Sequence, residues 1–148
     1  MEKARVVIIG GGATGVGILR DLSMRGVDAV LLEQRDLAFG TSSRFHGLLH
    51  SGGRYAVKDS TAAKECAEEN AILRKIGRHC VEATEGFFVR MPEDDRAYEE
   101  SWVKACQTAG IPVEAVSLAE ARQLEPHLSD RAVAVYRVPD AAIDGFRL

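Results

Sequence analysis

The chain has 148 residues, of which 46% are hydrophobic and 28% charged, with a formal net charge of −3. Such proportions fit one ordinary globular domain, long enough to bury a core without a disulfide or metal staple. They exclude a disordered, collagenous or low-complexity chain. Charge is uneven: residues 1–57 carry seven Lys/Arg against five Asp/Glu, and residues 58–148 carry twelve against seventeen. Neither part forms a basic stripe, so no nucleic-acid partner is expected. No apolar run approaches the roughly 18 residues of a membrane span. The run Val6–Ile9 is too short for a signal-peptide core. A cytoplasmic location is expected, with any contact at the inner face of the cell membrane made through partners. Cys66, Cys80 and Cys106 are odd in number and form no Cys-x-x-Cys pair. They read as free buried thiols.

In chain order, Ala4–Ile9 is an apolar, β-branched run with both faces apolar, as in a buried parallel strand. A glycine-rich turn follows at 10–17. Residues Ala13–Arg25 then predict an amphipathic helix with Val16, Leu19, Leu22 and Met24 inward, stopped by Gly26. Val27–Leu32 predicts a second strand ending at Glu33. Strand, glycine turn, helix and strand make a βαβ unit, and the fold class is α/β. Residues 35–57 are irregular and rich in Gly, Ser and Arg; irregular stretches of that length tend to be functional. A helix is expected over Ser60–Gly77, capped by Ser60 or Asp59, with Ala62, Cys66, Leu73 and Ile76 on one face. Strands are expected at Gly86–Met91, Pro112–Val116 and Ala132–Val138, and a helix at Glu93–Ala109. Ser117-Leu118-Ala119-Glu120 reads as a capping box opening a short helix to about Glu125. Ala141–Leu148 reads as the start of another element, so the chain is expected to be a fragment.

Gly10-x-Gly12-x-x-Gly15 has the spacing of a dinucleotide-binding turn. It follows a predicted strand, opens a helix and has Glu33 at the end of the next strand. Gly10 permits the tight turn, and Gly12 lets the backbone approach a pyrophosphate. Gly15 lets the helix pack closely on the strand. The helix N-terminus offers unpaired N–H groups to phosphate oxygens. Glu33 can accept hydrogen bonds from a ribose and would repel a 2′-phosphate, which disfavours NADP. NAD and FAD both remain open on this turn alone. A second glycine-rich loop, Gly40–Tyr55, suggests the longer ligand, FAD. Its hydroxyls, N–H groups and arginines suit phosphate oxygens. His46 and His50 lie four apart, but Gly47 disfavours a helix between them, and no metal site is expected.

Taken together, Gly-Gly-Gly-Ala-Thr-Gly-Val-Gly at 10–17, Glu33, Thr-Ser-Ser at 41–43 and His-Gly-Leu-Leu-His-Ser-Gly-Gly-Arg-Tyr-Ala at 46–56 resemble the FAD-dependent glycerol-3-phosphate dehydrogenase family. Within it they resemble most the large catalytic subunits of the anaerobic bacterial type. Arg-His-Cys-Val-Glu at 78–82, Pro-Glu-Asp-Asp at 92–95, Glu-Pro at 125–126 and Val-Pro-Asp at 138–140 are similar too. One departure is Asp144-Gly145-Phe146, where the family leads one to expect Asp-Pro-Phe.

The resemblance implies a Rossmann-like FAD-binding domain with a parallel sheet, and the start of a mixed α+β substrate domain. The boundary is expected near residue 80, giving 1–80 and 81–148. Gly10, Gly12 and Gly15 would hold the FAD pyrophosphate, and Glu33 the adenosine ribose. Thr41, Ser42 and Ser43 would lie along the pyrophosphate. Gly47, Leu48 and Gly52 would pass near the isoalloxazine, with His50 beside it as the one catalytic candidate. Arg54 and Tyr55 would face the substrate, Arg54 near its phosphate. The implied reaction is oxidation of sn-glycerol 3-phosphate to dihydroxyacetone phosphate, with electrons passed to a quinone through partner subunits. The fragment is expected to be inactive alone. Two alternatives stand beside this reading. One is a related FAD-dependent 2-hydroxy-acid dehydrogenase or oxidase, with a different residue expected where Arg54 sits. The other is a nucleotide-binding module without catalysis.

Overall fold

The structure is a computed structural model and describes residues 3–145 and Arg147. The described chain packs as two compact units that divide at His46/Gly47. In the first unit, β1 (Val6–Ile9), α1 (Ala13–Met24) and β2 (Ala29–Leu32) form the expected βαβ unit. β1 and β2 pair in parallel, Val6 opposite Ala29 through Ile9 opposite Leu32. Helix α1 ends in a Schellman turn: the N–H of Val27 donates to Leu22 O and that of Gly26 to Ser23 O. A one-turn helix, Thr41–Ser43, follows in the loop after β2.

Burial in this unit differs from the expectation of two covered strand faces. Ile8 is buried, but Val7 is 55% and Ile9 88% exposed. Successive strand residues point to opposite faces, and one helix covers only one of them. On α1, Gly15 is buried and Leu19 and Leu22 half-buried, while Val16 and Met24 are exposed. The inward face of α1 is therefore centred on Gly15, where the helix comes closest to the strand.

The second unit holds two antiparallel sheets. Strand β3 (Leu48–Leu49) and β4 (Val81–Glu82) flank β8 (Ala141–Ile143). β5 (Gly86–Arg90) and β6 (Glu114–Val116) flank β7 (Ala134–Val138), with Phe88 opposite Tyr136 and Val89 opposite Val135. Helix α3 (Arg96–Thr108) lays Trp102 and Cys106 against Phe88, Tyr136 and Val138. Trp102 stacks on Phe88 with ring centroids 4.6 Å apart. Val116, Val135 and Phe87 meet Ala121 of α4 (Leu118–Leu124) in a second cluster. Val135 and Tyr136 are neighbours on one strand, so the two clusters lie on opposite faces of the sheet. Burial pushes the Cys106 thiol up to about 11. Cys66, Cys80 and Cys106 are all free thiols, Cys66 only half-buried.

Helix α2 (Ser60–Ile76) is capped by Asp59, whose carboxylate accepts from Ala62 N at 2.9 Å. Its buried face is shifted from the expected one, with Ala62, Cys66 and Leu73 half-buried. Ala63 and Asn70 are buried, while Ile76 is 62% exposed. Asn70 goes inward because its amide finds two carbonyl partners there: Nδ2 donates to Leu49 O at 3.3 Å and Pro139 O at 3.2 Å. Only half of the expected capping box forms at α4. Ser117 Oγ accepts from Glu120 N at 3.1 Å, but the Glu120 carboxylate pairs with Arg137 instead of reaching back. The departure at 144–146 involves Phe146, which lies outside the described residues.

Asn70→Ala is expected to destabilise the chain by about 1–3 kcal/mol, the cost of leaving a buried polar group unpaired. Arg74 Nη1 still reaches Pro139 O at 3.3 Å, so the loss falls on Leu49 O. Urea unfolding measures it, and an unchanged midpoint would show that Asn70 carries no such role.

Candidate cofactor and substrate site

Seven of the expected residues, Gly10, Gly12, Gly15, Glu33, Thr41, Ser42 and Ser43, lie in the first unit. Strand β1 ends at Ile9, and the chain turns through Gly10–Gly12 into α1. A Cβ on Gly15 would lie 1.9 Å from Gly10 O, so no side chain is tolerated there. A Cβ on Gly12 would lie 3.1 Å from Ser42 Oγ, inside the usual contact distance. Ser42 Oγ in turn accepts from Ala13 N at 2.9 Å, at the first turn of α1. The hydroxyl thus marks a position where an oxygen meets the helix N-terminus, as a phosphate oxygen would. Ser43 Oγ donates to Gly40 O at 3.3 Å and steadies the loop. Thr41 opens the one-turn helix beside them. This crowded, side-chain-free backbone suits a pyrophosphate.

Glu33 stands at the end of β2, as expected. Its Oε2 accepts from Gly11 N at 2.7 Å and its Oε1 from Arg35 N at 2.9 Å. The Gly11 N–H bond, then the Arg35 one, holds the carboxyl below its ordinary pKa, so it is ionised at neutral pH. An ionised carboxylate only accepts, which suits ribose hydroxyls. Glu33, Gln34, Arg35, Phe39, Gly40 and Arg44 line a concavity of about 370 Å³. The Arg35 and Arg44 guanidinium carbons lie 4.7 and 5.8 Å from the Phe39 ring centroid.

The remaining expected residues lie in the second unit. Leu48 is in β3, opposite Ala142 of β8, and Gly47 O accepts from Ile143 N at 2.8 Å. Gly52, at φ +95°, is set by packing: a Cβ there would lie 2.4 Å from Ala63 O of α2. Gly53 O accepts from Trp102 Nε1 at 2.8 Å. Arg54 and Tyr55 are exposed. Arg54 borders a cavity of about 470 Å³ whose other walls include Phe88, Trp102, Tyr136, Asp94 and Asp95. Among its lining residues, Glu99 accepts from Tyr136 OH at 2.6 Å and pairs with Arg90 at 2.8 Å.

His50 is engaged by a residue that sequence reasoning had not singled out. Its Nδ1 lies 2.9 Å from Asp140 Oδ2. Asp140 Oδ1 accepts from Ser51 N at 2.7 Å and from Ser51 Oγ at 2.6 Å. The only signal for this cluster was the Val-Pro-Asp stretch at 138–140, since ninety residues separate the partners. Among the described residues no group of three or more His, Cys, Asp or Glu is placed to hold a metal. No described helix is long and apolar enough to cross a membrane.

Burial raises the Asp140 pKa, but hydrogen bonds from Ser51 Oγ, His50 and Ser51 N outweigh it and the net shift is downward. A folded-state pKa below the unfolded one stabilises above the unfolded value and is lost as pH falls through the folded value. Stability should therefore fall below about pH 4, the ordinary Asp value. Asp140→Asn should flatten part of that fall in urea unfolding measured at successive pH values. An acid limb identical to that of the unmodified chain would contradict the assignment.

The chain is 54% identical over its whole length to the A1 subunit of anaerobic glycerol-3-phosphate dehydrogenase from Haloferax volcanii, and covers 25% of that protein. It is 48% identical over 99% of its length to the corresponding subunit of the anaerobic glycerol-3-phosphate dehydrogenase of Escherichia coli K12, covering 27% of that protein. The chain thus spans about a quarter of the curated relatives it matches. Among solved structures it is similar to dithionite-reduced L-α-glycerophosphate oxidase from Mycoplasma pneumoniae with FAD bound. That likeness has a TM-score of 0.78 at 24% identity, over 98% of this chain and 40% of the other. At this identity it speaks for the fold alone. The description "FAD dependent oxidoreductase" (DAO) matches residues 5–148. With a βαβ turn shaped for a dinucleotide and that match running almost end to end, the chain belongs to the FAD dependent oxidoreductase family, DAO.

Proposed function

We propose that this chain is the FAD-pyrophosphate cradle and part of the substrate face of an FAD-dependent sn-glycerol-3-phosphate dehydrogenase. The observation that carries the reading is the turn at 10–15, where Gly15 leaves room for nothing beyond hydrogen and Ser42 Oγ meets the first helical N–H. The identity of 48–54% to glycerol-3-phosphate dehydrogenase subunits supports the substrate. Residues 1–80 would supply the first part of the FAD-binding domain and 81–148 the beginning of the substrate domain. This division by role differs from the division by packing at His46/Gly47.

Gly10, Gly12, Gly15, Thr41, Ser42 and Ser43 would hold the pyrophosphate, and Glu33 the adenosine ribose. Gly47, Leu48, His50 and Gly52 would lie along the flavin. The chemistry that FAD supplies when bound is acceptance of two electrons from carbon 2 of the substrate. Arg54 would pair with the phosphate through its planar fork of donors, which lysine does not reproduce. The reaction would yield dihydroxyacetone phosphate. Partner subunits would carry the electrons on to a quinone, which fits relatives that are themselves named as subunits. The segment alone would not turn over.

Two outcomes test the reading in the full-length enzyme carrying this segment. Gly12→Val should abolish retained flavin, because the added side chain fills the cradle beside Ser42; normal flavin absorbance would contradict this. Arg54→Ala should lower kcat/KM for glycerol 3-phosphate roughly 10- to 150-fold, the worth of a charged hydrogen bond. Its effect on free glycerol, which has no phosphate, should be much smaller, and flavin content should stay normal. Equal losses on both substrates would remove Arg54 as the phosphate anchor and favour a 2-hydroxy-acid substrate.

A further inference from the structure

We propose that Asp140 is a positioning residue: held by Ser51, it fixes His50 in the Nδ1–H form and makes Nε2 the proton-accepting atom of the ring. The observation behind it is the set of constraints converging on one carboxylate. Ser51 is 1% exposed, and both its N–H and its hydroxyl donate to the same oxygen, Oδ1. That leaves Oδ2 facing His50 Nδ1 at 2.9 Å. The Asp140 side chain is only 14% exposed. Its place is cleared by Gly86, where a Cβ would lie 3.0 Å from Asp140 Cβ and 3.4 Å from Oδ2. The preceding residue is fixed as well, since Asn70 and Arg74 both donate to Pro139 O.

An ionised carboxylate has no proton to donate, so the hydrogen between Oδ2 and Nδ1 belongs to the ring. A neutral imidazole with its hydrogen on Nδ1 carries its basic lone pair on Nε2. If a proton reaches Nε2, the resulting cation keeps its Nδ1–H bond to the Asp140 carboxylate, which stabilises the added charge. On the functional reading above, on which this part rests, the proton comes from the C2 hydroxyl of glycerol 3-phosphate. FAD, when held by the residues named above, would supply the acceptor for the two electrons of the C2–H bond, taken as hydride. One proton and one hydride together account for the two hydrogens lost in forming the ketone.

Ser51 also makes the inference testable without unfolding the site. In Asp140→Asn the two Ser51 donors still need an acceptor, so the amide oxygen takes the Oδ1 place. The amide NH₂ is then turned toward His50 Nδ1. A donor facing Nδ1 forces the hydrogen onto Nε2 and reverses the ring. A residue that only fastened the loop would keep both Ser51 bonds in this variant and move nothing.

The experiment is long-range ¹H–¹⁵N correlation on the ¹⁵N-histidine-labelled chain at mildly alkaline pH, with His50 assigned by its loss in His50→Gln. The unmodified chain should show His50 with Nδ1 protonated and Nε2 unprotonated. Asp140→Asn should show the reverse, with the Ser51 amide resonance little moved. An Nε2–H ring in the unmodified chain would overturn the proposal without any variant. So would the same tautomer in both proteins. In the full-length FAD-loaded enzyme, Asp140→Asn should lower kcat roughly 10²- to 10⁴-fold, the usual worth of a positioned acid–base group, with KM changed much less. A reversed ring with unchanged kcat would overturn the role in the reaction. Absence of glycerol 3-phosphate turnover in the unmodified full-length enzyme would instead defeat the functional reading, and the spectra would still decide the tautomer.

Discussion

A Cβ on Gly15 would come within 1.9 Å of Gly10 O, and that approach sets how α1 meets β1. With no side chain at 15, the helix lies directly on the end of the strand, and its first N–H groups face the turn. Everything else in the first unit follows from the resulting crowding. Glu33, at the end of the paired strand, reaches Gly11 N and is held ionised there. Ala38, at φ +58°, donates its N–H to Gly11 O at 2.8 Å and closes the loop after β2 back onto the same turn. Ser42 then reaches the N–H of Ala13. Glu33, Ala38 and Ser42, all from the segment that follows β2, converge on the turn at 10–15, where four of six residues are glycine, a shape that suits phosphate oxygens.

The second unit is organised by polar contacts of a different kind. Its loop from Gly47 to Arg54 has little regular structure, yet it is held at several points. Leu48–Leu49 pair with β8, Ser51 binds Asp140, Gly52 packs on Ala63, and Gly53 O receives the Trp102 indole N–H. Asn70 ties Leu49 to Pro139, so the loop and the turn between β7 and β8 are fixed to one helix. The hydrogen bonds among them replace water at backbone groups that would otherwise be buried unpaired. The result presents His50 in a fixed orientation, with Arg54 and Tyr55 exposed beyond it.

Much of this was legible in the sequence because it depends on short-range rules. The glycine spacing, the strand before it and Glu33 after it are read within one βαβ unit. The helix at 60–76 declares itself by its Asp59 cap and the glycine after it; the one at 96–108 is marked by Gly110, but it starts after an Asp95 cap rather than at the expected Glu93. What escaped was non-local or too short to have a period. β3 and β4 are two residues each, below any alternation signal. Asn70 looks like a solvent residue on a helix until its two carbonyl partners, 21 and 69 positions away, are known. Asp140 had only the Val-Pro-Asp stretch to set it apart, since its partners His50 and Ser51 lie on the far side of three helices in the chain. The inward face of α2 was misplaced only in part, for the same reason: Ala62, Cys66 and Leu73 are half-buried as expected, but Ile76 is exposed and paired polar burial places Asn70 inside.

The most direct measurement is a ¹H–¹⁵N correlation titration of the labelled chain with FAD, ADP and riboflavin. FAD and ADP share the adenosine and the pyrophosphate, whereas riboflavin has neither. The amides of Gly11, Gly12 and Ala13, with those of Ser42 and Arg35, should shift with FAD and with ADP and stay in place with riboflavin. Unmoved amides at 11–13 with saturating FAD, or the same shifts with riboflavin, would contradict the cradle at 10–15.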